Sequence, residues 1–224
     1  MASRIEVLWK LALKTFSGSK TSNYKICLKN FEKLKCLINE INAEDVYVDK
    51  KVLDYVNNQS APMCAIDVFE NQDITIAIFI LKTGVTLPLH DHPEMHGLLK
   101  VISGVVKIDS YSIESYRDKV SDKNKGIAAV KHSSTIIKHT DPACVLTPFL
   151  KNLHEITCLE GPAAFLDVLS PPYDTGDYGK GKRPCTFFKV VTINEISDNV
   201  QLVATDIPST FYSKSLNYMG QPLR

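Results

Sequence analysis

The stretch Thr86-Leu-Pro-Leu-His-Asp-His-Pro-Glu-Met-His-Gly97 places three imidazoles within seven positions, beside two carboxylates. Side chains of an extended strand alternate between its faces, so His90 and His92 are predicted to point the same way. Pro93 cannot donate a ladder hydrogen bond and should end the strand, which leaves His96 at the mouth of the site or just behind it. The stretch therefore predicts half of a metal site carried on a β-strand.

A third ligand must come from elsewhere in the chain, because two histidines cannot complete a first-row metal site. The candidate is His154, in the run Lys-Asn-Leu-His-Glu-Ile-Thr at the start of another predicted strand. Strands that cross side by side in a closed barrel would bring it to the first pair. The alternative is a set of structural histidines satisfied by hydrogen bonds. His132 and His139 lack such a pairing and are predicted to be ordinary loop or strand residues.

The pattern of apolar residues changes after Pro62. Before it, apolar residues at helical spacing predict amphipathic helices over residues 5–16 and 24–41, packed against a sheet. After it, short β-rich runs separated by polar turns predict strands and no further long helix. The predicted strands are Met63–Phe69, Ile74–Leu81, Leu98–Ile102, Val105–Tyr111, Ile127–Val130, Ser134–Lys138, Val145–Thr147, Leu153–Leu159, Ala163–Leu169 and Thr186–Val191. Such a number of strands suits a barrel or a double-sheet jelly roll.

The length and composition predict one domain. A chain of 224 residues with 44% hydrophobic content can bury a substantial core and falls in the size range of a large all-β domain. We expect a helical segment over residues 1–45, a β-barrel over 60–206 and a loosely held tail over 207–224.

Charge and cysteine usage exclude several classes of function. The 26 basic and 25 acidic residues nearly balance, so we expect neither a nucleic acid nor a membrane surface as partner. No apolar run approaches the roughly 20 residues that cross a bilayer. The six cysteines form no C-x-x-C pair, and the N-terminus lacks a signal-peptide pattern. These features predict a cytoplasmic protein with reduced thiols.

Four runs of the sequence resemble the cysteamine dioxygenase and plant cysteine oxidase family of cupins. They are Pro88-Leu-His-Asp-His-Pro-Glu-Met-His-Gly-Leu-Leu-Lys-Val101, Asn152-Leu-His154, Phe165-Leu-Asp-Val-Leu-Ser-Pro-Pro-Tyr-Asp174 and Cys185-Thr-Phe-Phe-Lys-Val190. The resemblance implies a mainly β fold, a cupin jelly-roll barrel with N-terminal helices packed against it. It also implies that the barrel holds non-haem Fe(2+) through three histidines, which match His90, His92 and His154.

The chemistry of such a site follows from its charge. Three neutral imidazoles leave the ferrous ion its full double charge, unlike the commoner set of two histidines and a carboxylate. The centre should favour an anionic ligand, and a thiolate supplies that charge. Open positions remain for sulfur, a neighbouring amine nitrogen and dioxygen. Addition of both oxygen atoms then gives a sulfinate.

Two substrates present the same HS–C–C–N unit to the metal. One is cysteamine, which would become hypotaurine, and the other is the N-terminal cysteine of a protein, whose oxidation would act in oxygen sensing. The sequence lacks an obvious clamp for a substrate carboxylate close to the ligands, which argues against free cysteine. We expect a monomer that uses dioxygen and one or both of these thiols.

The resemblance also implies that Asp167 belongs to the catalytic site, and Tyr173, which follows two prolines in a stiff turn, is the second catalytic candidate. Asp167 would face the iron and hydrogen-bond the substrate amine or an oxygen species at the metal. Its burial in an apolar strand would be costly without a partner, and the alternative is a carboxylate that satisfies backbone amides inside the barrel. Tyr173 would reach over the pocket, or else pack on the barrel rim.

Two positions depart from the family's pattern. In animal relatives a cysteine near the end of the barrel can form a thioether with a tyrosine two residues later. Here Cys185 is followed by Phe187, which has no phenol, so we expect no such crosslink and a packed thiol. Glu94 stands where many relatives carry glycine, which would change the mouth of the site.

Two other functions fit the same residues. Three histidines also form a zinc-hydrolase set, so a cupin that uses zinc or manganese for hydrolysis or isomerisation is one alternative. The other is a non-catalytic cupin that binds a ligand or a partner.

Overall fold

The computed structural model describes residues 3–19, 25–113, 126–174, 183–193 and 198–224. The helices lie near the N-terminus and are α1 (Arg4–Phe16), α2 (Leu28–Asn39), a 3-10 helix (Glu44–Val46) and α3 (Lys50–Asn58). The strands are β1 (Met63–Glu70), β2 (Thr75–Leu81), β3 (Thr86–Asp91), β4 (His96–Ser112), β5 (Ile127–Lys131), β6 (Thr135–Lys138), β7 (Cys144–Leu146), β8 (Leu153–Ser170), β9 (Phe187–Ile193), β10 (Asn199–Thr205) and β11 (Ser213–Leu216).

The strand pairings close a barrel. Strands β8, β3, β9, β10, β5 and β4 pair in that order. β4 also pairs with β8, which closes the ring. β1 and β2 extend the sheet from β8, and β6 and β7 pair with β4. The predicted fold class, a mainly β jelly roll with N-terminal helices, is confirmed.

β4 and β8 are longer than the sequence predicts. The sequence predicts two strands in place of each, but each is continuous, over 17 and 18 residues respectively. Gly104 is the reason that β4 continues, because its φ of +74° bends the strand without ending it. A Cβ at this position would lie 2.5 Å from the carbonyl oxygen of Glu160, so only glycine lets the two strands approach here.

The helices pack on one face of the sheet. The buried face of α1, which includes Leu8 and Phe16, joins Ile76 of β2 and Leu98 of β4 in one hydrophobic cluster. Leu99, the next residue of β4, belongs to a second cluster on the opposite face, as strand alternation requires. The helix-facing cluster and the interior cluster are thus separated by a single layer of sheet.

Two segments differ from the sequence-based expectation. α3 was not predicted, because Val56 is its one fully buried residue and so it shows little periodicity. Its first turn is capped by the side chain of Asp49, which accepts from the amide of Val52 at 2.9 Å. The tail was expected to be loosely held, which is wrong for β11, because this strand pairs in parallel with β1 from Met63↔Ser213 to Ile66↔Leu216.

None of the helices in the described ranges combines the length and the apolar character that a bilayer span needs.

Candidate metal centre

Three buried histidines meet at one place in the molecule. His90 on β3 lies directly opposite His154 on β8, and His92 follows the end of β3. One ring nitrogen from each lies within 4.8 Å of the other two. The exposed fractions of the three residues are 7%, 2% and 6%, so solvent does not separate them. The structure therefore brings together the three histidines that the sequence singles out.

A hydrogen bond to Pro88 fixes the tautomer of His90. Its Nδ1 lies 2.8 Å from the carbonyl oxygen of Pro88. A carbonyl oxygen only accepts, so Nδ1 carries the proton and donates it. The Nε2 nitrogen of His90 keeps its lone pair, which is what a metal ligand requires.

Tyr173 fixes the tautomer of His92 through a similar chain of hydrogen bonds. The Tyr173 hydroxyl donates its one proton to the backbone carbonyl of Asp91 at 2.6 Å. The same hydroxyl oxygen lies 3.0 Å from Nδ1 of His92 and can only accept from it. The lone pair of His92 is therefore on Nε2, which lies 3.2 Å from Nε2 of His154. Close ring nitrogens of this kind are stabilised by a proton or cation between them.

Burial keeps the three imidazoles neutral. It lowers the pKa of His90 to about 4. Burial also lowers the pKa of His92 and His154 well below the usual value, and the neighbouring imidazoles lower both further. Neutral imidazole is the form that binds a metal ion. A set of three such nitrogens fits a first-row divalent metal such as iron or zinc.

Neither carboxylate beside the histidines joins them in the described structure. The side chain of Asp91 points elsewhere and accepts from the amide of Thr186 at 2.8 Å, while burial raises its pKa to about 7. Glu94 is exposed in a turn, with a φ of +60° that glycine adopts freely. Asp91 thus holds the start of β9, and Glu94 lies on the surface.

His96 lies on the opposite side of the sheet, which corrects its expected place near the mouth of the site. Its ring packs against Phe16 of α1 and Phe31 of α2, with ring centroids 6.4 and 6.1 Å away. His96 begins β4, and the helices cover its face of the strand. Its function is therefore to help attach the helices to the barrel.

Asn152 stabilises the site, although the sequence shows it only as part of the motif Asn152-Leu-His154. It is fully buried, and its side chain accepts from the amide of Ile113 at 3.0 Å and donates to the carbonyls of Ile113 and Pro148 at 3.2 and 2.8 Å. Its own carbonyl accepts from the amide of His92 at 2.7 Å. Asn152 therefore ties His92 to the end of β4 and to the strand that carries His154.

Asp167 lies on the interior face of β8. It pairs with Leu99 across β4 and with Ala77 across β2, so these side chains share one face of the sheet. Leu99 lines a cavity that also contains His154. Asp167 is 6% exposed, and burial raises the pKa of its carboxyl to about 8. Among the described residues, none forms a hydrogen bond or ion pair with its side chain.

Tyr173 lies behind His92, on the side of Nδ1. The two rings are 5.6 Å apart. The Cys185 thiol also hydrogen-bonds the Tyr173 hydroxyl, and burial raises the pKa of this thiol to about 12. The ring of Phe187 approaches His90, with centroids 6.1 Å apart. Tyr173 and Phe187 thus enclose two of the histidines with aromatic rings.

A cavity of about 360 Å³ opens onto His154. Leu99, Ile108 and Leu146 form part of its apolar wall, and Ser110, Cys144 and Lys151 provide polar groups. A small polar molecule could therefore reach the histidine cluster from this side.

Comparisons with known proteins show what the chain is similar to. The chain matches the PCO_ADO family over residues 37–222. It is 33% identical to the 2-aminoethanethiol dioxygenase of Mus musculus, over 85% of this chain and 81% of that protein. It is 27% identical to plant cysteine oxidase 2 of Arabidopsis thaliana, over 82% of this chain and 65% of that protein. A double-stranded β-helix protein from Klebsiella pneumoniae aligns with a TM-score of 0.38 and 18% identity, over 60% of this chain and 85% of that one.

Proposed function

The chain belongs to the PCO_ADO family, and on that premise we propose that it is an iron-dependent thiol dioxygenase. The observation that carries the proposal is the cluster of His90, His92 and His154, which holds three neutral nitrogens and no carboxylate among the described residues. A divalent metal on such a set keeps its charge, so the substrate has to bring the negative charge. A thiolate meets that requirement.

Ferrous iron bound there would supply redox chemistry and open positions for a thiolate, a neighbouring amine and dioxygen. In the overall reaction a thiol and O2 give a sulfinic acid, so sulfur is oxidised, dioxygen is reduced and no other reductant is consumed. His90 and His92 hold their lone pairs on Nε2 through Pro88 and Tyr173. Tyr173 therefore acts as a positioning residue for the ligand.

Asp167 is the group that we assign to the substrate side of the site. Because burial raises its pKa to about 8, its carboxyl is largely protonated at neutral pH and can donate a hydrogen bond. When an ammonium or amine enters the cavity, the same carboxyl can lose its proton and pair with it. Asp167 would thus orient the amine of the HS–C–C–N unit.

The relatives are named for cysteamine (2-aminoethanethiol) and for cysteine, and both names fit this unit. We infer that this chain oxidises cysteamine to hypotaurine, the N-terminal cysteine of proteins, or both, and that the second activity would serve oxygen sensing. We further infer a single-domain monomer in the cytoplasm. All six cysteines are free thiols, which is the state kept in a reducing compartment.

The test is metal analysis and oxygen uptake. Protein purified without oxygen should contain iron, and addition of cysteamine or of a peptide with N-terminal cysteine in air should consume oxygen. Mass spectrometry should then find the thiol product heavier by two oxygen atoms. Zinc in place of iron, together with no oxygen uptake after iron reconstitution, would refute the proposal and favour a hydrolase.

A further inference from the structure

Lys151 is a basic residue that lines the cavity opening onto His154. It is half-buried and lines the cavity together with Cys144 and Leu99. Burial raises the pKa of the Cys144 thiol to about 11; Lys151 and Lys100 lower this pKa, and Asp167 and Asp141 raise it. Lys151 and Asp167 are thus both close enough to act electrostatically on Cys144, a residue of the cavity wall.

The backbone holds Lys151 in a defined position. Its φ of +55° is in the left-handed region, which is costly for a residue with a Cβ. Its amide donates to the hydroxyl of Ser112 at 2.8 Å. In the preceding turn the amide of Thr147 donates to the carbonyl of Leu150 at 2.9 Å. Asn152, which follows directly, is fully buried. The backbone of Lys151 is thus held between this turn and the buried Asn152.

A second lysine near this wall, Lys100, already forms its hydrogen bonds with the protein. The ammonium of Lys100 donates to the carbonyl oxygens of Val101, His139 and Asp141. Within the described ranges, the ammonium of Lys151 makes neither a hydrogen bond nor an ion pair with the protein. Of these two cations, Lys151 is the one available to a ligand.

The cavity is larger than the HS–C–C–N unit. At roughly 30 Å³ for each water-sized group, a volume of about 360 Å³ holds several times the four heavy atoms of cysteamine. The cavity therefore has room for a further part of the substrate, and Lys151 is among the residues that line it.

We propose that Lys151 is a specificity-determining residue that binds a carboxylate of the substrate beyond the HS–C–C–N unit. The inference rests on the proposed function, because it takes the thiol and amine to be held at the histidine cluster. The carboxylate has two sources, an acidic side chain that follows an N-terminal cysteine and the α-carboxylate of free cysteine. An ammonium paired with a carboxylate in a partly enclosed site forms a charge-assisted hydrogen bond.

The test measures binding to iron-loaded protein without oxygen, so that it does not depend on turnover. Two C-terminally amidated peptides, one beginning Cys-Glu and the other Cys-Lys, probe the side chain. L-cysteine and L-cysteine amide probe the α-carboxylate. The native protein should bind the carboxylate-bearing member of at least one pair about tenfold more tightly. Which pair shows the preference identifies the source of the carboxylate.

Substitutions then test whether Lys151 causes the preference for the carboxylate. Lys151→Glu should reverse it, and Lys151→Gln, which keeps the length of the stem, should abolish it. Lys138→Glu makes the same change in charge on the exposed end of β6, away from the cavity lining, and should retain the preference. Equal affinity within both pairs, or a preference that survives in Lys151→Gln, would overturn the inference. Charge-selective binding without formation of sulfinate in air would refute the proposed function alone.

Discussion

His90 and His154 occupy directly opposed positions on the neighbouring antiparallel strands β3 and β8, with their ring centroids 4.9 Å apart. Opposed residues of an antiparallel pair point to the same face. A slip of the register by one residue would turn one of the two imidazoles to the other side of the sheet. The pairing of β3 with β8 therefore sets the geometry of the centre before any metal binds.

Replacement of His154 by alanine removes one of the three nitrogens. Two imidazoles cannot complete the site, so the iron content should fall from about one per chain to near zero, and turnover should be lost. Metal analysis of protein purified without oxygen measures this. His139→Ala, which removes an exposed histidine outside the cluster, should retain its iron. Iron at the native level in His154→Ala would contradict the ligand assignment.

Tyr173→Phe removes the hydroxyl that accepts from Nδ1 of His92 and donates to Asp91. The imidazole then loses the partner that fixes its tautomer, and iron affinity should weaken about 10–100-fold. Competition with a chelator of known affinity gives the change. Tyr212→Phe, at a site where the tyrosine is half exposed, is the matched control. If both variants hold iron equally well, the Tyr173 contact does not position His92.

Asn152→Ala breaks three side-chain hydrogen bonds in a fully buried place. The backbone groups of Ile113 and the carbonyl of Pro148 lose their partner, which should lower the free energy of unfolding by about 2–4 kcal/mol. Urea denaturation measures this change. The same substitution at the exposed Asn217 should change stability little. A small effect at Asn152 would mean that water replaces the amide.

Asp167→Leu should raise the stability of the protein and lower its activity. The buried carboxyl has no hydrogen-bond partner in the described structure, so an apolar side chain of similar size should raise the free energy of unfolding by about 1–3 kcal/mol. If Asp167 orients the substrate, the same variant should lose about 100-fold in turnover. Denaturation and oxygen uptake are compared on one preparation. Destabilisation instead would favour a structural role for the carboxyl. Asp67→Leu, at an exposed position of β1, serves as the control.

His96 should make stability depend on pH. Burial between the helices and β4 lowers its pKa below the usual 6.5 in the folded state. The unfolded chain therefore binds a proton first on acidification, and the contribution of His96 is fully present above pH 6.5 and is lost as pH falls below it. Urea midpoints of native protein and His96→Gln should converge between pH 7.5 and 5.5. A constant difference would contradict the assigned shift.

The parts of the site that depend on short-range periodicity could be predicted from the sequence. Strand alternation correctly predicts that His90 and His92 lie together. His96 and Asn152 could not be placed in this way. The partners of His96 are Phe16 and Phe31, which lie on helices far away in the chain. The hydrogen-bond partners of Asn152 include Ile113, which directly follows β4.

The division of the sheet into strands was predictable only in part. A glycine between two β-rich runs usually indicates a turn, but Gly104 lets β4 bend and continue beside β8. The role of Lys151 was invisible for a different reason. A single lysine between Leu150 and Asn152 forms no pattern, and the proposed role depends on the left-handed backbone and on a cavity whose walls come from distant strands.

The short strand β11 has a consequence for the behaviour of the chain in concentrated solution. It covers the outer edge of β1, whose other edge is paired with β2. A chain shortened before Ser213 would expose a row of unpaired amide and carbonyl groups, and such a row can template pairing with a second molecule. The C-terminal segment therefore protects β1 from edge-to-edge aggregation. Its loss would lower the solubility of the protein more than its catalytic activity.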